Sequence, residues 1–499
     1  MIPLLVHGAP EGFDAQLLIR RRAEHAGNLL HIARDDARLA RLAETLTFFA
    51  PHIEIIRLPA WDCLPYDRVS PNQGLIAERI AALAALLEPA SRPRIVLASV
   101  AAAMQKIPPR AVFADSTRSF AAGSTLNLAD LIVFLEANGY GRADTVMEPG
   151  EYAVRGGIID LYPAGLPDPV RIDLFGDTVE SLRFFDATTQ RSGKKLPQLV
   201  LRPVSEIFLD PPGIVRFRTS YRDMFGAGSA QDPLYQAISA GRRAPGMEHY
   251  LPLFHETLET IFDYLPDLAL SFDAQTSEAL QSRAEMVADH FDARSQAPRD
   301  GETPYRAIAP ALLYLDVPQW SDAIAPFPAV QFIPYAKAAE AAGIDAGGRP
   351  GVMLTNSNAQ GISLYQQLQS HIAAWQLQQK RIVIAAWTRG SRDRIGGLLR
   401  DHGIAANACE RWEEVRPGAV QLVTLGLEQG FITADTALLS EQDLLGERIS
   451  RPPRKKKRAD QFIAEATELA EGDLVVHQDH GIGRFDGLIT LDVSGAAHD

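Results

Sequence analysis

The stretch "VRIDLFGDTVESLRFF" (residues 170–185) decides how the middle of this chain folds. Val170, Ile172 and Leu174 alternate with Arg171, Asp173 and Phe175, which is the period of a strand with one buried face. The alternation sets Phe175 on the solvent side beside Arg171. Gly176-Asp177 marks a turn, and the second apolar run through Leu182 and Phe184 predicts an antiparallel return strand. Arginine and phenylalanine on the open face of a hairpin are typical protein-interface anchors. The equally weighted alternative is that a neighbouring segment covers Phe175.

Working outward, the first hundred residues alternate short apolar runs (IPLLV, NLLHIA, IEIIRL, RIVLAS) with helical patterns (DAQLLIRRRAEHA, ARLARLAETLTFF, LIAERIAALAALL). That rhythm predicts a parallel sheet covered by helices. From about Phe120 one helical stretch, LADLIVFLEANGY, leads into glycine- and proline-punctuated β-rich sequence, so a separate α+β module is expected there. Near Asp210-Pro211-Pro212-Gly213 the pattern becomes mixed again, with a helix in TSEALQSRAEMVADHF, so the module is read as an insertion into a larger domain. After Gly347-Gly348-Arg349-Pro350-Gly351, the stretches ISLYQQLQSHIAAW, RIVIAAW, RDRIGGLLRDHG and VQLVTL predict a small third α/β domain. Arg451 to Arg458 then holds six basic residues in eight, read as a solvated linker rather than a nucleic-acid contact. The final stretch, GDLVVHQDHGIGRFDGLITLDV, reads as short strands with turns.

With 499 residues the chain exceeds one hydrophobic core, and its 46% hydrophobic and 22% charged residues are those of a folded protein. A net charge of −13 argues against a chain that coats nucleic acid, which confines any such contact to a local patch. The two cysteines, Cys63 and Cys409, suit a reducing compartment and cannot build a cysteine cage for zinc. With no charged leader and no apolar run of ~18 residues, a cytoplasmic location away from membranes is expected.

No phosphate loop of the form G-x-x-x-x-G-K-[ST] occurs. The segment HGAPEGFDAQ stands where one belongs, after the first strand, but if Gly8 opens the loop, with Gly12 inside it, Asp14 falls where lysine is required. A carboxylate there repels a triphosphate, so neither ATP binding nor catalysis is expected. His477 and His480 have no convincing third ligand, so no metal site is assigned.

Three ordered stretches carry a specific resemblance: LPAWDCLPYDRVSPNQGLIAERIAAL (58–83), EPGEYAVRGGIIDLYP with VRIDLFGDTVESLRFFDATTQRS (148–192), and EGDLVVHQDHGIGRFDGL (471–488). Together they resemble the bacterial transcription-repair coupling factor family, Mfd, over essentially the whole chain, with residues 215–345 contributing no sharp motif. The first two stretches are also similar to the excision-repair protein UvrB, whose first domain is interrupted by a module that binds UvrA. The resemblance implies a UvrB-like parallel α/β domain in two parts (1–116 and 206–345) around an α+β UvrA-binding-type module (117–205). A small α/β domain (346–447), a basic linker (448–468) and a partial Tudor-like β-barrel at the C-terminus (469–499) would follow. It places UvrA binding on Arg155, Arg171 and Phe175, and RNA polymerase β-subunit binding on an edge strand with Leu488, Ile489 and Leu491, residues that ordinary barrel core would explain equally well. The motor of the family, with its ATP, magnesium and DNA, would lie beyond residue 499, in which case the chain is an N-terminal fragment or a natural short form. Asp14 departs from UvrB, and the short segment between Pro71 and RIVLASVAAAM leaves little room for UvrB's damage-probing hairpin.

The expected function is therefore recruitment: linking stalled RNA polymerase to UvrA and nucleotide-excision repair, without turnover by this chain. The alternatives are an active UvrB-type ATP-dependent helicase or repair subunit, and a CarD-type polymerase-binding regulator with no repair role.

Overall fold

The computed structural model describes residues 3–226, 231–296, 305–354 and 363–445, and the backbone of four short strands between 474 and 498. A seven-stranded, all-parallel sheet runs in the spatial order Ile344–Asp345, Leu4–His7, Ala329–Phe332, Leu268–Phe272, Asn28–Ala33, Arg94–Ser99, Glu54–Leu58. Every residue of Leu268–Phe272 is buried, because a central parallel strand is covered on both faces. The covering helices follow from local sequence. In Asp36–Phe49, Asp35 caps the first turn by accepting from the Arg38 amide at 2.7 Å, and Leu39, Leu42, Leu46 and Phe49 recur at helical spacing on the buried side.

The chain leaves this sheet after Ser99 and rejoins it at Leu268, and the antiparallel module lies between these two strands. Within the insertion a six-stranded sheet runs in the order Ser192–Lys195, Thr178–Phe185, Val170–Phe175, Ile158–Leu161, Glu151–Arg155, Gly141–Arg142, antiparallel except for the last pair. The opening hairpin forms with Leu174 opposite Val179 and Ile172 opposite Leu182. Ile159, Leu161, Val170, Ile172 and Leu182 all face inward, meeting Leu131 and Leu135 of the helix Leu128–Ala137 in one continuous core with the parallel-sheet domain. A two-stranded ribbon, Arg118–Ala121 with Gln198–Leu201, closes the base of the module.

The third sheet is mixed: Arg349–Pro350, Phe431–Ile432, Thr436–Ser440, Arg381–Ala386, Val420–Thr424, Asn407–Ala408, with parallel central strands and antiparallel pairing at the Arg349–Pro350 edge. Helices Leu364–Leu377 and Arg389–Asp401 belong to this unit. It packs on the first domain through aromatic contacts, Phe49 to Trp412 at 4.8 Å and Phe13 to Phe431 at 5.8 Å between ring centroids. Near the C-terminus, Leu474–His477 pairs with Gly481–Arg484 and Leu491–Val493 with Ala496–His498, as two antiparallel hairpins. No helix among the described residues is long and apolar enough to cross a membrane.

Candidate functional site

The hairpin face is built by register. Arg155 stands opposite Ile158, Ile158 opposite Asp173, and Asp173 opposite Ser181, so these residues form one row across four strands on the face turned from the core. Phe175 projects from the same face at the hairpin end and is 81% exposed. Its exposure has a local cause. The adjoining strands turn at Gly156-Gly157: Leu174 donates its amide to the Gly157 carbonyl at 2.8 Å, which leaves Gly156, with no side chain, beside Phe175. Ile158, which the sequence reading did not single out, is a second exposed apolar residue of the row at 38%.

Arg155 is exposed, and its Nη2 donates to the Asp144 carbonyl at 2.5 Å and to Thr145 Oγ1 at 3.2 Å. Arg171 differs from expectation. Asp160 lies directly opposite it in the antiparallel register, and the guanidinium forks onto that carboxylate through Nε (2.7 Å) and Nη2 (2.8 Å). The guanidinium also stacks over the Phe185 ring at 4.9 Å and donates through Nη1 to Ser192 Oγ at 3.2 Å. With Asp160 buried, Arg171 neutralises an interior charge, and its own pKa is raised by the Asp160 hydrogen bonds. Arg155, Arg171 and Phe175 share a face, on which Arg155, Ile158 and Phe175 are exposed and Arg171 is only half-buried. Alternation alone puts Asp160 on the same face as Arg171, but only the strand register shows that the two are opposed.

The loop after the first strand is closed from within. Gly8 and Ala9 donate their amides to the carbonyls of Tyr335 (2.7 Å) and Ile333 (2.9 Å), and Phe13 and Asp14 donate theirs to Pro10 (3.1 Å each). Gly12 and Ala15 donate to Asp14 Oδ1 at 3.0 and 2.7 Å. Asp14 therefore puts its own carboxylate at the N-terminus of helix Phe13–Glu24, where backbone amides and the helix dipole favour an anion. Its other oxygen pairs with the Arg38 guanidinium, which also approaches Asp273 at 3.5 Å, and Asp273 pairs with His31 at 3.3 Å. Burial pushes the Asp14 carboxyl up to about 6 against the pull of Arg38. Burial would raise Asp273 too, but the hydrogen bond and charge of His31, with Arg38, hold it well below the usual carboxylate range. Gly12 has φ 87°, and a Cβ there would sit 2.9 Å from the Phe431 ring, so the third sheet's unit closes against the loop.

Leu488 and Ile489 lie outside the described residues; the backbone of Leu491 belongs to the strand Leu491–Val493, while its side chain is outside them. The basic run Arg451–Arg458 and His480 also lie outside, as does the side chain of His477. Among the described residues no group of three or more His, Cys, Asp or Glu is arranged to hold a metal ion.

Comparison with known proteins agrees with this layout. Residues 119–207 match the family model of the UvrB interaction domain, 376–444 that of the MFD D3 domain, and 469–499 that of the CarD-like/TRCF RID domain. The chain is 31% identical to the transcription-repair-coupling factor of Haemophilus influenzae over 97% of its length and 42% of that protein. It is also 31% identical to the Escherichia coli factor (98% and 42%) and 28% identical to that of Rickettsia bellii (94% and 41%). The chain thus spans about two-fifths of the length of the curated relatives it matches, and these matches bear out the family resemblance read from its sequence.

Proposed function

We propose that this chain, the counterpart of the N-terminal two-fifths of a transcription-repair-coupling factor, is the recruiting half of such a factor, joining UvrA to a stalled RNA polymerase. The observation that carries the reading is Phe175, an aromatic ring 81% exposed on a rigid sheet face inside the segment that matches the UvrB interaction domain. Arg155 and Ile158 flank it on that face and would complete the contact, with the ring seated in a pocket of UvrA. Arg171 would act as a positioning residue that holds the face flat through Asp160. Polymerase binding falls to the segment matching the CarD-like/TRCF RID domain, where Leu488, Ile489 and Leu491 are the candidate edge for the β subunit. The reading makes the chain a cytoplasmic adaptor without turnover, with ATP, magnesium and DNA left to a motor outside these residues.

An active UvrB-type ATPase is disfavoured by Asp14, whose carboxylate and Arg38 partner fill the anion position that a nucleotide would need. Pull-down of purified UvrA by this chain, compared with Phe175→Ala, tests the proposal. Retention of UvrA by wild type and its loss in the variant, at unchanged melting temperature, is the expected result. Absence of UvrA from both would favour a polymerase-binding regulator without a repair role.

A further inference from the structure

A cleft of about 1070 Å³ opens where the inserted module joins the parallel-sheet domain. One wall carries Pro109 and Val112, on the outgoing crossing into the module, and another carries Phe208 and Asp210, on the returning one. The third wall is the helix Pro211–Phe225, started by two prolines and capped by Asp210, which accepts from the Gly213 amide at 2.8 Å. The helix buries Phe217 and Tyr221 and leaves Val215 61% exposed, while Thr219, Arg216, Arg218 and Arg222 are exposed with it. A second hollow of about 270 Å³ shares Val215 and Thr219 with the first and continues along the helix past Arg218 and Arg222. The result is one groove with an apolar floor and three arginines on its rim.

None of Arg216, Arg218 and Arg222 is in an ion pair among the described residues, although the chain as a whole carries a net charge of −13. At the floor, His255 packs edge-on to Phe208 at 6.3 Å, and its Nε2 is sealed without a hydrogen-bond partner. Burial keeps this imidazole neutral near pH 7, so the positive charge of the groove comes from the three arginines alone, set among the carboxylates of Asp210, Asp223 and Glu256. The size exceeds the usual small-molecule range, and an apolar floor beside forked donors suits a side chain flanked by carboxylates.

We propose that this groove docks an acidic amphipathic peptide segment of a protein partner. An apolar side chain would seat over Val215 against Val112 and Phe254, with Asp or Glu side chains forking onto Arg216, Arg218 and Arg222. Nucleic acid fits less well. Asp223 and Glu256 line the same groove and would repel a continuous run of phosphates, whereas a peptide can place its carboxylates selectively. A docked segment would bear on both crossings at once and so set how the inserted module sits on its parent domain. The proposal is independent of the UvrA reading, since Phe175 is on a separate sheet face.

The test is selection of phage-displayed random peptides of about 12 residues on the immobilised full chain, followed by fluorescence anisotropy of the recovered peptides. Recovered sequences should combine an apolar anchor with at least two acidic residues. Binding should weaken at least about tenfold in the triple variant Arg216→Glu, Arg218→Glu, Arg222→Glu, and in Thr219→Trp, which fills the groove but keeps its charges, while Phe175→Ala leaves it unchanged. Thr219→Trp decides alone if the triple variant melts early. Recovery of no binder, of peptides without acidic bias, or of peptides indifferent to Thr219→Trp would overturn the proposal. So would a labelled oligothymidylate that binds more tightly than the peptides and is lost in the triple variant, which would make the groove a nucleic-acid surface.

Discussion

The hairpin face around Phe175 and the loop around Asp14 are opposite solutions to the same question of what to do with strongly interacting side chains. At the loop, each donor and charge named above has a partner within the chain: the amides bond to nearby carbonyls or to Asp14, and Asp14 pairs with Arg38. At the hairpin a large apolar ring stands in water, with a glycine pair where a covering side chain would have been. Interactions closed internally stabilise the fold and leave nothing for a ligand. Those left open contribute little to folding and are available to a partner.

The contrast makes its strongest prediction at the closed loop. Arg38→Ala would leave Asp14 and Asp273 buried without their shared cation, a change that typically costs about 3 to 5 kcal/mol. The guanidinium unfolding midpoint should fall accordingly, and a fluorescent ATP analogue should remain unbound by wild type. Nucleotide binding by wild type that disappears in Gly8, Gly12 and Asp14 variants would break the contrast. Next in size is Arg171→Ala, which strands the buried Asp160 carboxylate and should lower stability by about 2 to 3 kcal/mol. A variant that loses UvrA with an unaltered unfolding midpoint would instead make Arg171 a direct contact.

At the open face the effect should move from stability to binding. Phe175→Ala is expected to weaken UvrA by about 2 kcal/mol, roughly thirtyfold, and Ile158→Ala by about 1 kcal/mol, both with melting temperatures near wild type. Loss of stability by the roughly 3 to 5 kcal/mol of a core phenylalanine, with UvrA affinity intact, would show that the ring packs internally.

A smaller effect concerns protons. Burial lowers the pKa of both His249 and His255 to about 4, below the usual 6.5. The folded state therefore binds fewer protons than the unfolded state between those values. This stabilisation is complete above about pH 6.5 and is lost as pH falls through 4. Melting curves from pH 7 to 4 should show the decline, and His249→Asn should flatten it; UvrA binding through the open face should follow stability rather than titrate on its own.

The sequence was most legible where pattern and local chemistry coincide. Alternation set the hairpin 170–185, its turn and the outward side of Phe175, whereas Asp14 stood out only as a departure from a phosphate loop, with no sign in the sequence that the loop is closed from within. Two things were not legible. Leu268–Phe272 is buried throughout, so it shows no alternation, and its place at the centre of the first sheet depends on partners some 240 residues earlier. The partner of Arg171 was hidden because cross-strand register, not spacing along the chain, puts Asp160 opposite it. An arginine on a wet face reads the same whether its charge is spent inside the sheet or offered outside it.

One consequence follows from the way the chain leaves the first sheet after Ser99 and rejoins it at Leu268. A domain hung on a chain terminus is tethered by one strand of polypeptide, and a single protease nick sets it adrift. The module that carries Phe175 is moored at both ends to the same sheet, so one cut leaves it in place. A pull on the ring is shared between two covalent lines that enter the sheet on either side of Asn28–Ala33, and the anchorage resists twisting as well as tension.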